Sequence, residues 1–205
     1  MKTIIYIATG NKSKLANFQQ FFKWIDPEIE VELVPEYIEV DENGNSLEEN
    51  SLLKVLQYKN MYQYPVIAND SGLSFDPRVR EDLDPVKVKR NALGGHTEKE
   101  LSQEEIGASM IEFYKNIAKE YGGEINTTMT DVFTILYPDG TTRQIKTNRE
   151  YILTDRETDK YDIFHPLNSL RISPRVHKFM DEMTEEEKRI DMKVLVDGLK
   201  ELIRI

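Results

Sequence analysis

Apolar residues crowd positions 4–8 and predict a buried first strand. Beyond it Leu15, Phe18, Phe22 and Ile25 recur at helical spacing until Pro27 stops the pattern, which predicts a helix between them. A second strand is expected over 31–38, followed by the acidic loop Asp41-Glu42-Asn43-Gly44-Asn45. Ser46 with Glu49 three residues on is a capping-box signature. It opens a helix expected to run to about residue 62, with Leu52, Leu53 and Leu56 on its apolar face. Residues 65–68 read as a short strand ending at Asn69-Asp70-Ser71-Gly72. Residues 76–95 mix charge with Pro77 and Pro85 and predict a loop with one helical turn at most.

Later in the chain Ser102 caps a helix whose Ile106, Met110, Phe113 and Ile117 line one face, ended by Gly122-Gly123. Residues 128–137 and 141–147 flank Pro138-Asp139-Gly140 as a β-hairpin, and 151–153 add a further strand. A second capping box, Thr184 with Glu187, opens one closing helix that carries Ile190, Val194, Leu195, Leu199 and Leu202. Strands alternate with helices early and a hairpin sits in the middle. The fold class is therefore α/β with a mixed sheet rather than a purely parallel one. No Pro/Gly/Ser-rich linker divides residues 1–205, so a single domain is expected over that range.

Composition narrows the function. The 205 residues contain no cysteine, which excludes disulfides, thiolate metal sites and cysteine nucleophiles and fits a cytoplasmic setting. The first apolar run is too short for a signal peptide, and no stretch approaches the ~20 apolar residues of a membrane span, so a soluble protein without a membrane partner is expected. The formal charge of −10 repels a phosphate polymer and argues against nucleic acid. A small anion remains compatible, where lysines and backbone N–H groups converge and a divalent cation screens the rest.

Three segments carry candidate chemistry. A strand, a Gly10-Asn11 turn and a helix start place free N–H groups at a positive helix end, where phosphate binds, and Lys14 reaches the same anion. By itself that pattern favours an ordinary turn with Asn11 as N-cap; the Walker pattern G-x-x-x-x-G-K-S/T is absent. Asn50 and Lys54 share a helix face, and Glu49 near the helix start can offer a carboxylate to a metal or serve only as a cap. Asp70 at a strand end is well placed for a ligand, although Asp-Ser-Gly is also ordinary turn chemistry.

Thr9-Gly10-Asn11-Lys12-Ser13-Lys14, Ser46-Leu47-Glu48-Glu49-Asn50-Ser51-Leu52-Leu53-Lys54 and Ala68-Asn69-Asp70-Ser71-Gly72-Leu73 occur in that order. Together they resemble the inosine triphosphate pyrophosphatase family, whose patterns are T-G-N-x-x-K, T-F-x-E-N-A-x-x-K-A and A-D-D-S-G-L. Arg90 with Gly94 resembles its S-A-R-Y-x-G segment, Tyr161-Asp162-Ile163-Phe164 the end of G-F-G-Y-D-P-x-F, and 182–188 its A-E-L-x-x-E-E-K stretch. The chain departs at Asn69, where the family has a first acid, at Thr158-Asp159-Lys160 in place of G-F-G, and at the missing S-H-R, for which Lys193 is the nearest cation.

The resemblance implies an elongated mixed sheet with flanking helices, two lobes around a central nucleotide cleft, and a homodimer. It implies Mg²⁺-dependent hydrolysis of a nucleoside triphosphate, such as inosine or xanthosine triphosphate, to the monophosphate and pyrophosphate. Glu49 and Asp70 would be catalytic and hold the metal. Thr9, Gly10, Asn11, Lys14, Lys54 and Ser71 would hold the phosphates, with Lys188 reaching in from the C-terminal side. Arg90, Tyr161, Asp162 and Lys193 complete the substrate set, and Tyr161 or Phe164 would stack on the base unless Phe164 belongs to the core. Two alternatives stand beside this: a nucleotide-binding protein without turnover, motivated by Asn69, and a pyrophosphatase for a different modified nucleotide.

Overall fold

The computed structural model describes residues 3–10, 12–41, 43–76, 91–97, 100–160 and 162–204. Its strands are β1 (Thr3–Ile7), β2 (Ile29–Leu33), β3 (Val66–Asp76), β4 (Glu124–Leu136), β5 (Thr142–Thr154), β6 (Arg171–Ser173) and β7 (Lys178–Phe179). Its described α-helices are α1 (Lys12–Ile25), α2 (Leu47–Leu56), α3 (Gln103–Glu120), α4 (Glu185–Asp191) and α5 (Lys193–Leu202). The strands form one seven-stranded sheet in the order β2-β1-β3-β4-β5-β6-β7. β1 pairs in parallel with β2 and β3, whereas β6 pairs antiparallel with β5 and β7. The mixed α/β sheet with flanking helices expected from the sequence is therefore borne out. Among the described residues no helix is long and apolar enough to cross a membrane.

Several boundaries differ from the sequence expectation. β2 stops at Leu33 rather than 38, because Pro35 lacks the N–H a strand must donate. α2 ends at Leu56 rather than near 62; Asn60 adopts φ 65°, a left-handed conformation that a helix cannot continue through. Residues 65–68 are not a short strand ending before Asp70: β3 runs on to Asp76, with Leu73 and Phe75 buried. The 128–137 and 141–147 strands are longer, 13 residues each, and the separate strand at 151–153 is the end of β5. The single closing helix is two, broken at Met192.

Contacts divide the chain into two compact units. The first comprises Met1–Ser71, Thr130–Thr147 and Val194–Ile205. In it Ile5, Ile7, Ile67, Phe133 and Ile135 of the sheet pack against Phe18 and Phe22 of α1 and Leu195 and Leu199 of α5. The opposite side of those strands, with Ala8, Val66, Ala68 and Leu136, packs on Val55 of α2 and on Tyr58. This is the period-2 alternation of strands covered on both faces. Gly198 lets α5 approach β5, since a Cβ there would lie 2.6 Å from Thr147 Cγ2. The second unit comprises Gly72–Met129 and Asn148–Lys193. Its core gathers Leu73, Phe75, Ile125, Leu153 and Leu170 around Ile106, Met110, Tyr114 and Ile117 of α3.

Candidate active site

In the first unit, parallel register does the first piece of positioning. Ile7 lies opposite Ile67, and the Ala8 N–H donates to Ile67 O at 2.8 Å. The pairing ends there, and Thr9 and Gly10 turn the chain from β1 into α1. The turn thus lies at the carboxyl end of β1, where open α/β sheets gather ligands. Lys14 stands in the first turn of α1, half-buried. Gly10 is exposed, and a Cβ added there would meet the Tyr37 ring at 3.1 Å.

α2 supplies the second piece. Residues 48, 51 and 54 recur every three positions and face the sheet. Lys54 Nζ donates to Asp70 Oδ1 at 2.8 Å and approaches Asn69 O at 3.4 Å. Both side chains of the pair are mostly buried, at 13% and 11% exposure. Ser71, the next residue of β3, is partly exposed. The structure therefore joins Lys54 and Asp70 directly.

Glu49 occupies a different position. Its backbone N–H donates to the Ser46 hydroxyl, but its carboxylate accepts from Asn45 N–H at 2.7 Å rather than from Ser46. Half of the expected capping box is replaced by a bond that ties down the preceding loop. Asn50, 2% exposed, reinforces the tie by accepting from Gly44 N–H at 2.8 Å. Among the described residues no three His, Cys, Asp or Glu side chains converge on one point. The donors on offer, Glu49 and Asp70, are hard carboxylate oxygens. They fit Mg²⁺, which one or two carboxylates hold together with substrate phosphates rather than in an all-protein cage.

Residues missed by the sequence reading underlie α2. Ser51 and Thr134, both fully buried, are 2.8 Å apart, and Ser51 Oγ donates to Ala68 O at 3.3 Å. Gln144 Nε2 donates to Thr134 Oγ1 at 2.7 Å and to Glu48 O at 3.0 Å. Lys146, two residues along the same face of β5, bonds the Glu48 carboxylate at 2.8 Å and lowers its pKa. The one signal in the sequence was a polar Thr134 inside the apolar stretch 132–136.

In the second unit Asp162 accepts from Phe164 N–H at 2.9 Å and pairs with His165 Nδ1 at 2.8 Å. Burial opposes its charge, but the His165 and backbone hydrogen bonds prevail and lower its pKa. Asp181 goes the other way: burial and the Asp162 charge raise its pKa, against Asn168, Lys188 and Arg171. Asp162 and Lys188 are thus brought together around Asp181, a residue the sequence reading did not single out. Phe164 is 59% exposed in a turn, which excludes its core alternative. Lys193 opens α5, exposed. Two positions earlier Asp191 is fully buried, accepting from Ser173 Oγ at 2.5 Å, Tyr151 Oη at 2.7 Å and Arg175 Nε at 3.2 Å. Asn11, Arg90 and Tyr161 lie outside the described residues.

These features define an α/β protein with a strand-to-helix turn at the carboxyl end of β1 and a Lys54–Asp70 pair between α2 and β3. Residues 5–79 match the model of the Ham1 family. A dITP/XTP pyrophosphatase of Oceanobacillus iheyensis is 44% identical over 78 residues, 37% of this chain and 39% of that protein. One from Synechocystis is 36% identical over 100 residues, 49% of this chain and 47% of that protein. The matched stretch thus spans less than half the length of either relative. The Staphylococcus aureus Ham1 protein shares the fold with a TM-score of 0.67 at 23% identity, over 97% of this chain and 99% of that one. A HAM1 protein from Coxiella burnetii does so with a TM-score of 0.71 at 17% identity, covering 98% of each chain. The resemblance read from the motifs is borne out: this chain is similar to the Ham1 family, in sequence over residues 5–79 and in fold over nearly its whole length.

Proposed function

We propose that this protein hydrolyses a nucleoside triphosphate to the nucleoside monophosphate and pyrophosphate, with Mg²⁺ as cofactor. The observation that carries the proposal is the mostly buried Lys54–Asp70 pair, 2.8 Å apart. Water would attack the α-phosphorus; the new P–O bond replaces the one to the bridging oxygen, and pyrophosphate leaves.

Asp70 takes the proton of that water, and Lys54 holds the Asp70 carboxylate in place while opposing phosphate charge. The turn N–H groups, Lys14 and Ser71 hold phosphate oxygens at the positive end of α1. Asn11 joins them by resemblance. Mg²⁺, held by Glu49 and Asp70, would screen triphosphate charge and polarise the phosphoryl group.

Asp162 is the proposed base-side contact, with Arg90, Tyr161 and Lys193 completing the substrate set and Lys188 reaching the phosphates, all by resemblance. Asp191, near the missing S-H-R, is consumed by internal bonds and leaves few polar groups to read a base. Strong rejection of a wrong base needs such groups, which are left unpaired by it. The substrate class is accordingly a nucleoside triphosphate with preference for inosine below about 10³-fold over adenosine or guanosine. A homodimer in the cytoplasm is part of the same proposal. The test is pyrophosphate release over inosine, xanthosine, adenosine, guanosine and pyrimidine triphosphates, with and without Mg²⁺. No release from any of them would leave a binding protein without turnover; an inosine preference above about 10³-fold would overturn the base reading alone.

A further inference from the structure

Four side and main chains form a single directed hydrogen-bond chain under α2. Ser51 gives its proton to Ala68 O, so at the 2.8 Å contact Thr134 is the donor to Ser51. Thr134 Oγ1 in turn accepts from Gln144 Nε2. The other Nε2 hydrogen goes to Glu48 O, which fixes the orientation of the Gln144 amide, since its oxygen could serve neither contact. The sequence Gln144→Thr134→Ser51→Ala68 O therefore crosses β5, β4, α2 and β3, with every hydroxyl donating once and accepting once. Chains of this kind strengthen their own links in a low-dielectric interior.

The ends of the chain matter. One lies at Glu48, the residue before Glu49; the other lies at Ala68, two residues before Asp70. Ser51 stands where the resembled pattern has alanine, so its hydroxyl is an addition in this chain. We infer that Gln144, Thr134 and Ser51 are positioning residues that set the first turn of α2 against β3, and so set the Glu49 and Asp70 carboxylates for a metal–triphosphate. This rests on the proposed triphosphate chemistry. None of the three touches substrate; they act through the backbone on which the carboxylates are carried.

The test is calorimetric titration of Mg²⁺–tripolyphosphate into the full chain, a probe without base or turnover, alongside the Mg²⁺ concentration giving half-maximal pyrophosphate release. Thr134→Val keeps the side-chain shape and cuts the chain in the middle; Thr134→Ser keeps the hydroxyl. Thr134→Val is expected to weaken both readouts about tenfold, since small misplacements of reacting groups carry penalties of that order or more. Thr134→Ser should restore both to within about twofold of wild type. Should Thr134→Val not fold, Gln144→Leu, at an exposed strand position, carries the same expectation. A lowered Tm with both readouts unchanged would make the chain purely structural and overturn the inference. Failure of the proposed function shows separately, as wild-type protein that neither binds the probe nor releases pyrophosphate.

Discussion

The two units treat their charged residues in opposite ways. In the first, Lys54 and Asp70 pair in a mostly buried setting, and Glu49 is exposed, its carboxylate accepting from the Asn45 N–H. In the second, Asp191 is fully buried and held by Ser173, Tyr151 and Arg175. Arg149, Arg171 and Arg175 surround the Tyr151 ring at 5.7, 5.0 and 5.6 Å. Burial, with the Asp191 charge adding to it, pushes the Tyr151 hydroxyl up to about 12 against the nearby arginines, so it stays a proton donor. The first arrangement leaves charge available to a ligand, and the second spends it on the fold.

The strongest way to break that comparison is Asp70→Asn. Loss of a general base or metal-activating group costs about 10²–10⁴ in rate. The melting temperature should fall as well, because Lys54 loses its ion pair in a mostly buried setting, but the folded variant should remain inactive per molecule. An active Asp70→Asn protein would remove the chemistry from the first unit.

Tyr151→Phe probes the other side. It removes a hydroxyl that donates to Asp191 and accepts from Arg149 Nη1 at 2.8 Å. Deleting hydrogen bonds to buried charged groups costs about 1–3 kcal/mol, read as a lower denaturation midpoint at unchanged slope. Turnover per folded molecule should stay near wild type. A large rate loss without a stability loss would move this network from the fold into the function.

Glu49→Gln sharpens the comparison within the first unit. A cap role predicts a stability loss at the low end of about 0.5–2 kcal/mol, since the amide oxygen can still accept from Asn45. A metal role predicts a displaced Mg²⁺ curve for pyrophosphate release with little change in Tm. An unchanged Mg²⁺ curve would confine Glu49 to the loop tie seen in the structure.

What the sequence disclosed follows from the same physics. The Thr9–Lys14 and 49–54 segments are contiguous, so periodicity and turn chemistry suffice to place them. Asn69-Asp70-Ser71 reads locally as a turn, yet β3 passes straight through it. The β1–β3 pairing stops at Ile67, so Asp70 still lies beyond the end of a neighbouring strand although its own continues. The Gln144–Thr134–Ser51 chain and the Tyr151–Asp191 network were illegible because their partners are separated by 10, 83 and 40 residues. No local pattern marks such pairs. The break at Met192 was hidden for a related reason: the helical spacing of apolar residues carries on across it.

The smallest expected effect concerns acid. Glu187 is held down to about 2 by the Lys178 ammonium at 2.7 Å and by Thr184, whose N–H it accepts in the α4 capping box. A carboxyl lowered in the native state contributes stability that is present above its ordinary range near 4.3 and lost as pH falls through that range toward 2. Asp181 has the opposite sign: burial raises it, so the native state retains its proton longer than the unfolded chain, and stability falls as pH rises through its titration. Glu187→Gln should therefore flatten the decline of Tm between about pH 5 and 2. Asp181→Asn should remove the loss of stability that accompanies Asp181 ionisation as pH rises. Both groups sit in the second unit, and Glu187→Gln should leave the Mg²⁺ dependence of pyrophosphate release where it is in wild type. If Glu187→Gln instead shifts that dependence, α4 takes part in the first unit's chemistry and the division between available and spent charge fails. Equal acid limbs in wild type and Glu187→Gln would show that the Lys178 and Thr184 contacts, both exposed, are screened by water to no effect.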